Sequence, residues 1–248
     1  MQYNPVWENK IENMKKIDSM MDNDFKNVDL LIFPEMTLTG FTMKAEKFCE
    51  DLYGVSVSYL SELAKNFKVN ILSGFILKEG NEFYNVLVHI DEKAEVKSLY
   101  KKTHPFSYSS ENKHYKRGEQ AVATKIGDWS IGLAVCYDLR FPELYRNYAK
   151  LKSELVVTIA NWPDTRLEHW KILLKARAIE NQCYSIGVNR VGNDPKVHYN
   201  GCSCMYDPMG NEIVSVKDRE EIIYCDLEKE KVVATRKKLP FLDDMHMI

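Results

Sequence analysis

Three residues stand just after stretches that read as strands, and their types could share one reaction: Glu35, Lys102 and Cys136. Cys136 closes the run Ile131-Gly132-Leu133-Ala134-Val135, which fits a buried strand. Pro142-Glu143-Leu144 then reads as the start of a helix, with proline in the first turn. A cysteine at such a turn has its sulfur at the carboxyl end of the strand, where open α/β sheets place their chemistry. A nearby helix N-terminus favours the thiolate. A thiol is otherwise little ionised at neutral pH and needs a base or a lowered pKa. Glu35, just after residues 30–33, could take the thiol proton and hand it to a leaving amine. Lys102, just after residues 96–100, could stabilise a tetrahedral oxyanion, helped by the backbone N–H of Tyr137. This chemistry requires no metal and no cofactor. Taken singly, each residue keeps a plainer reading: Cys136 as a small core hydrophobe, Glu35 as a loop carboxylate, Lys102 as a solvated charge beside Lys101. Spacing alone does not bring the three together.

The elements that must position them follow from hydrophobic periodicity. Residues 7–25 and 57–67 carry apolar residues at helical spacing, and 28–33 is a short buried strand stopped by Pro34. Strands are expected over 70–77, 84–90 and 96–100, then a long polar loop over 101–120. A loop of that length inside a compact domain is functional or disordered. Strands over 121–126 and 130–135 precede a helix over 142–151, a strand over 155–159 and a helix over 168–182. Strands over 184–189, 203–206, 213–216 and 222–227 complete the order, with Asp207-Pro208-Met209-Gly210 as a turn. Helices come between β segments in both halves, so the fold class is α/β with helix-covered sheets. Nothing reads as a linker, so residues 1–248 are expected to form one domain. Residues 2–4 read as the end of a strand whose beginning is not in the sequence. The tail over 228–248, charged and then apolar at Leu239-Pro240-Phe241-Leu242, is expected to pack on a partner chain rather than fray.

Composition narrows the class. A net charge of -2 offers no field for nucleic acid or an anionic membrane. No apolar run approaches the roughly 18 residues of a membrane span, and the N-terminal residues do not read as a basic-then-apolar leader, so a cytoplasmic protein is expected. The cysteines at 49, 136, 183, 202, 204 and 225 match no disulfide framework and read as reduced thiols. Cys202 and Cys204 lack a second pair of ligands for zinc.

The sequence closely resembles the nitrilase (carbon–nitrogen hydrolase) superfamily. The matching blocks are residues 30–41 (Leu-Leu-Ile-Phe-Pro-Glu-Met-Thr-Leu-Thr-Gly-Phe), 100–106 (Tyr-Lys-Lys-Thr-His-Pro-Phe) and 132–144 (Gly-Leu-Ala-Val-Cys-Tyr-Asp-Leu-Arg-Phe-Pro-Glu-Leu). Asn161-Trp162-Pro163, residues 175–182 and residues 207–210 continue the match in family order. The resemblance implies a four-layer αββα sandwich that pairs into a homodimer or a higher homo-oligomer through helices beside the nucleophile. It also implies that Cys136 attacks a C–N bond through a thioester, that Glu35 is the general base, and that Lys102 binds the oxyanion. Many amidase branches carry a second glutamate before the nucleophile strand, which positions substrate or relays a proton. Glu111 fits that place, with Glu119 as the weaker candidate. Phe41, Phe106, Tyr137, Asn161 and Trp162 are expected to line the pocket, and Arg140 to meet either a substrate carboxylate or an acid such as Glu143. Arg177 and Glu180 are expected to support the site from behind.

The block around Cys136 most resembles the omega-amidase branch, which deamidates short dicarboxylate monoamides such as 2-oxoglutaramate. The partners implied are a small amide and water. N-carbamoyl or nitrile hydrolysis, or a non-catalytic binding protein on the same fold, are the alternatives. The short stretch over 113–120 favours amides over nitriles. A cysteine protease would need a histidine at the site, and His104 is the nearest in sequence.

Overall fold

Seven consecutive residues of β2 (Asn70–Glu79) and the last six of β3 (Glu82–Ile90) are buried, because both faces of these strands are covered. The protein was analysed as a computed structural model, which describes residues 1–26 and 28–246. β1 (Leu30–Ile32) runs parallel beside β2, and β3 and β4 (Val96–Lys101) follow antiparallel in the order β1-β2-β3-β4. α1 (Lys10–Asp24) and α3 (Val55–Phe67) cover the outer face, packing Ile17, Met21, Leu60, Leu63 and Ala64 against it.

The second sheet has the order β11-β10-β8-β7-β6-β5. Its strands are β5 (Ala123–Ile126), β6 (Trp129–Val135), β7 (Leu155–Ala160), β8 (Tyr184–Asn189), β10 (His198–Tyr206) and β11 (Glu212–Lys217). A short β9 (Val191–Asn193) pairs with β10 alone. The central β6, β7 and β8 are parallel, so their carboxyl ends lie along one edge. α4 (Pro142–Lys150) and α5 (Leu167–Asn181) cover the outside with Tyr145, Tyr148, Trp170 and Leu174. The facing inner surfaces share one core, in which Leu72, Leu87 and Tyr100 meet Leu133, Val157 and Ile159. The result is the expected four-layer αββα sandwich. Among the described residues no helix is long and apolar enough to cross a membrane.

Some expected boundaries move for local reasons. α1 begins at Lys10 rather than residue 7, because Asn9 caps it by accepting from the Glu12 N–H and Glu8 is left-handed at φ +54°. The polar stretch over 101–120 contains two 3₁₀ turns, Ser107–Ser109 and Glu111–Lys113. Two short elements, α2 (Ala45–Phe48) and β9, carry no periodicity the sequence could show.

Residues 222–227 are not a strand. Gln2 and Glu221 exchange one antiparallel pair of hydrogen bonds, and beyond it this segment borders a cavity of about 830 Å³ shared with β1 and Met1. A strand needs a neighbour to bond, and none of the described residues runs beside it. The tail forms α6 (Lys229–Lys238), with Val232 buried and Arg236 donating to the carbonyls of Gln182 and Ser153.

Candidate active site

Cys136 sits at the first residue past β6 with φ +49°, a left-handed conformation that costs free energy for any residue with a Cβ. The turn Cys136–Arg140 is 3₁₀, and α4 starts at Pro142 after it. Buried Asp138 holds the strained turn in place. Its Oδ2 accepts from the Val135 N–H at 3.0 Å and the Tyr100 hydroxyl at 2.7 Å. Its Oδ1 accepts from Thr103 Oγ1 and the His104 N–H, both at 3.0 Å. One carboxylate therefore ties the cysteine turn to the stretch that carries Lys102. Behind the turn, Arg177 donates to the Leu139 carbonyl at 2.7 Å and pairs with Glu180 at 2.8 Å, the supporting role expected of both.

Glu35 follows β1 at a second tight turn, where Met36 has φ +47°. The Thr37 hydroxyl donates back to the Pro34 carbonyl at 2.7 Å, and the Thr37 N–H donates to the Gly74 carbonyl at 2.8 Å. Gly74 lies so close that a Cβ there would stand 2.5 Å from Met36 N and 2.9 Å from Glu35 Cα. Gly74→Ala must therefore push the Glu35 turn. Overpacking of about 1–3 kcal/mol should lower Tm by about 5 °C and reduce turnover as Glu35 shifts. Thermal denaturation and turnover of that variant check both effects, and an unchanged kcat would contradict the placement.

The second sheet edge and the 101–120 stretch close around these groups. Lys102 and Glu111 are buried with Glu35, and Glu119 is exposed, so Glu111 is the glutamate that reaches the centre. Lys102 Nζ lies 2.9 Å from Glu35 Oε1, 2.9 Å from Glu111 Oε2 and 3.1 Å from Glu111 Oε1. Asn85, from the middle of β3, donates through one amide nitrogen to Glu35 Oε1 at 2.7 Å and Glu111 Oε1 at 2.8 Å. The Asn161 N–H and side chain donate to Glu35 Oε2 at 2.9 and 3.2 Å. The Asn161 carbonyl lies 3.9 Å from Cys136 Sγ.

Burial and charge set the protonation of this cluster. Burial alone would lower Lys102, but Glu111 and Glu35 together outweigh it, and the ammonium is held above its usual value. Burial raises Glu111, Lys102 opposes incompletely, and the charge of Glu35 adds to the rise. Cys136 is pushed well above the usual thiol value by burial first and by Glu35 second, more than Lys102 compensates. The turn's helical N-terminus does not make the resting sulfur a thiolate; it is a neutral thiol that needs a base.

A cavity of about 690 Å³ opens over Cys136, and Phe41, Phe106, Tyr137, Arg140, Asn161 and Trp162 all line it. Phe106 and Tyr137 are 4.8 Å apart, and Lys102 Nζ is 5.4 Å from the Phe41 ring. Arg140 meets neither Glu143 nor any other acid among the described residues. It stands 4.8 Å over Trp162, with His169 at 3.3 Å. His104 is held by Asp138 at 2.8 Å and stacked on Phe141 at 3.8 Å, which suits a structural role and not that of a base for Cys136.

Asn85, Asp138 and Gly74 were not singled out from sequence. Asn85 left a signal, since an amide inside the apolar run of β3 has to find partners. Asp138 and Gly74 left none, because the contacts by which they shape the site are, apart from the Val135 N–H on Asp138, distant in sequence.

The carbon–nitrogen hydrolase family matches residues 1–237. The chain is 30% identical over 248 residues to the 2-oxoglutaramate amidase of Bacillus subtilis (strain 168), covering 99% of this chain and 95% of that one. It is 33% identical over 242 residues to the omega-amidase YafV of Escherichia coli (strain K12), covering 96% and 92%. A solved carbon–nitrogen hydrolase superfamily protein from Xanthomonas campestris superposes with a TM-score of 0.95 at 29% identity, covering 100% of this chain and 96% of that one. The chain belongs to the carbon–nitrogen hydrolase family.

Proposed function

We propose that the protein hydrolyses the amide of a short dicarboxylate monoamide, releasing ammonia through a thioester on Cys136. The observation that carries this reading is the buried Lys102 ammonium, clamped between Glu35 and Glu111 beneath a cavity that exposes one strained cysteine. The names of the B. subtilis and E. coli relatives support the substrate class.

In this mechanism Glu35 takes the thiol proton as Sγ attacks the amide carbon. The carbonyl oxygen becomes an oxyanion facing Lys102 Nζ and the Tyr137 N–H. Glu111 accepts Lys102 through both oxygens, so the ammonium can turn one N–H to the oxyanion and keep a bond to each carboxylate. Protonated Glu35 then passes its proton to the nitrogen, ammonia leaves, and the thioester remains. Water, deprotonated by Glu35, attacks the thioester; the acid leaves and the thiol is restored. Arg140 meets the substrate carboxylate at the far end of the cavity. A second copy of the chain would cover the exposed Ile172 and Ile179 of α5 and Phe241 in the tail.

The test is ammonia release from 2-oxoglutaramate and 2-oxosuccinamate beside neutral aliphatic amides, N-carbamoyl compounds and nitriles. Fast turnover of the two monoamides is expected, with kcat/KM at least about tenfold above neutral amides of equal length, the effect of one charge-assisted contact. Turnover of neutral amides alone would overturn the substrate class, and carbon dioxide release from a carbamoyl compound would overturn the reaction. No turnover of any member would overturn the proposed activity.

A further inference from the structure

Two guanidinium groups face the same cavity, and among the described residues neither has an acid to pair with. Arg140 lies over Trp162 at 4.8 Å and Tyr137 at 6.0 Å. Arg166, the last residue of the turn Asp164–Arg166, lines the same cavity and lies over Phe106 at 5.6 Å. The two are close enough that Arg166, after burial, is what most lowers Arg140 from its usual value. The turn that carries Arg166 is anchored, because the Trp162 indole N–H donates to the Arg166 carbonyl at 2.7 Å.

The acids around the cavity have partners of their own, and Lys196, which also lines it, has no acid on its ammonium among the described residues. Glu8 binds Lys44 at 2.7 Å and Thr42 at 2.6 Å. Asp164 accepts from the Thr165 N–H at 2.6 Å, and Asp194 accepts from Tyr199 at 2.6 Å and from the Lys196 N–H at 2.7 Å. His169, beside Arg140, adds no negative charge. Two half-buried like charges on aromatic walls repel each other until an anion joins them. A planar carboxylate is the anion whose two oxygens match guanidinium donors.

We propose that Arg166 is a specificity-determining residue that shares a ligand carboxylate with Arg140, so that the cavity takes acyl groups ending in a carboxylate. It rests on the amidase reading for the identity of the acyl group, but carboxylate binding is measured apart from turnover. Glutarate carries no amide and can only occupy the cavity. It should slow alkylation of Cys136 by iodoacetamide, read at that residue by mass spectrometry, in competition with the reagent. For each variant the readout is the ratio of alkylation rates with and without glutarate, which cancels any general change in the thiol.

Arg166→Met should need at least about tenfold more glutarate for the same protection, the loss of one charge-assisted contact. Arg166→Lys should recover part of it, which a purely structural role for the side chain would not give. Neutral pentane-1,5-diol, which carries neither amide nor carboxylate, should affect the wild type and Arg166→Met alike. Equal protection by glutarate in wild type and Arg166→Met overturns the proposal, as does failure of glutarate to protect the wild type at all. If glutarate protects through Arg166 while no amide is turned over, the amidase reading falls and the carboxylate clamp stands. If amides turn over and glutarate gives no protection, the clamp falls and the amidase reading stands.

Discussion

Cys136→Ala should abolish ammonia release from every short amide, by about 10⁴-fold or more, while the protein stays folded. No second thiol can take its place, because Cys136 is the one cysteine among the described residues that lines the cavity. Alanine keeps the Cβ that the strained turn already tolerates and removes only the sulfur, so Asp138 still holds the turn. Residual turnover above about 1% would overturn the thioester mechanism, since losing the nucleophile of a triad costs far more than this. Intact mass spectrometry of the wild type with a slow amide should show the acyl group, and the variant should show none. The neutral thiol adds a second arm. Because Cys136 is raised, its unassisted alkylation should climb with pH through and beyond the usual thiol range. Amide turnover, which draws the proton to Glu35, should already be high near neutrality.

Lys102→Met should be nearly as inactive and much less stable. Removing one member of a buried ionic cluster strands the others, at about 3–5 kcal/mol. Here two carboxylates that share Asn85 would face each other without their cation. Turnover should fall by about 10²–10³, as for loss of one oxyanion donor, or further. The pH dependence has a definite sign. Glu111 is already raised, and without Lys102 it loses the main force holding it down. A carboxyl raised on folding contributes stability that is full below its unfolded value, about 4.3, and lost as pH rises through its folded value. The variant should therefore come closest to wild type near pH 5 and fall furthest behind near pH 8, as read by urea denaturation at both. A larger deficit at pH 5 would contradict the two-carboxylate arrangement. Adding Glu111→Gln should return part of the stability and none of the activity.

How far the site could be read from sequence depends on where each residue's partners lie. Glu35, Lys102 and Cys136 are legible as candidates because each follows a stretch that reads as a strand, and such a stretch is visible in one dimension. Asn85 breaks such a stretch, yet its partners are 50 and 26 residues away, so its job was invisible. Sequence leaves the protonation of Cys136 open between a lowered pKa and a base, for a related reason. A helix start is a local feature that favours thiolate, whereas the burial and the Glu35 charge that outweigh it come from the other sheet. The α/β class with helix-covered sheets follows from alternating helices and strands, whereas the four-layer sandwich is what the family resemblance implies. Residues 222–227 failed because strand formation is settled by a neighbour, not by their own β propensity. Sequence leaves Arg140 between a substrate carboxylate and an acid such as Glu143, because the choice depends on how the 3₁₀ turn aims it.

The same distances govern how the protein reaches its working state. Glu35 bonds to residues 50, 67 and 126 positions away, through strands of both sheets. Contacts of such separation are slow to form, because chain entropy is lost before they reward it. Until the sheets dock, the lysine and both glutamates stay hydrated, so stripping their water belongs to the last stage of assembly. Helices and single hairpins can recover early without any of this chemistry. Return of catalytic activity after denaturation therefore marks completion of the whole sandwich and no single element within it.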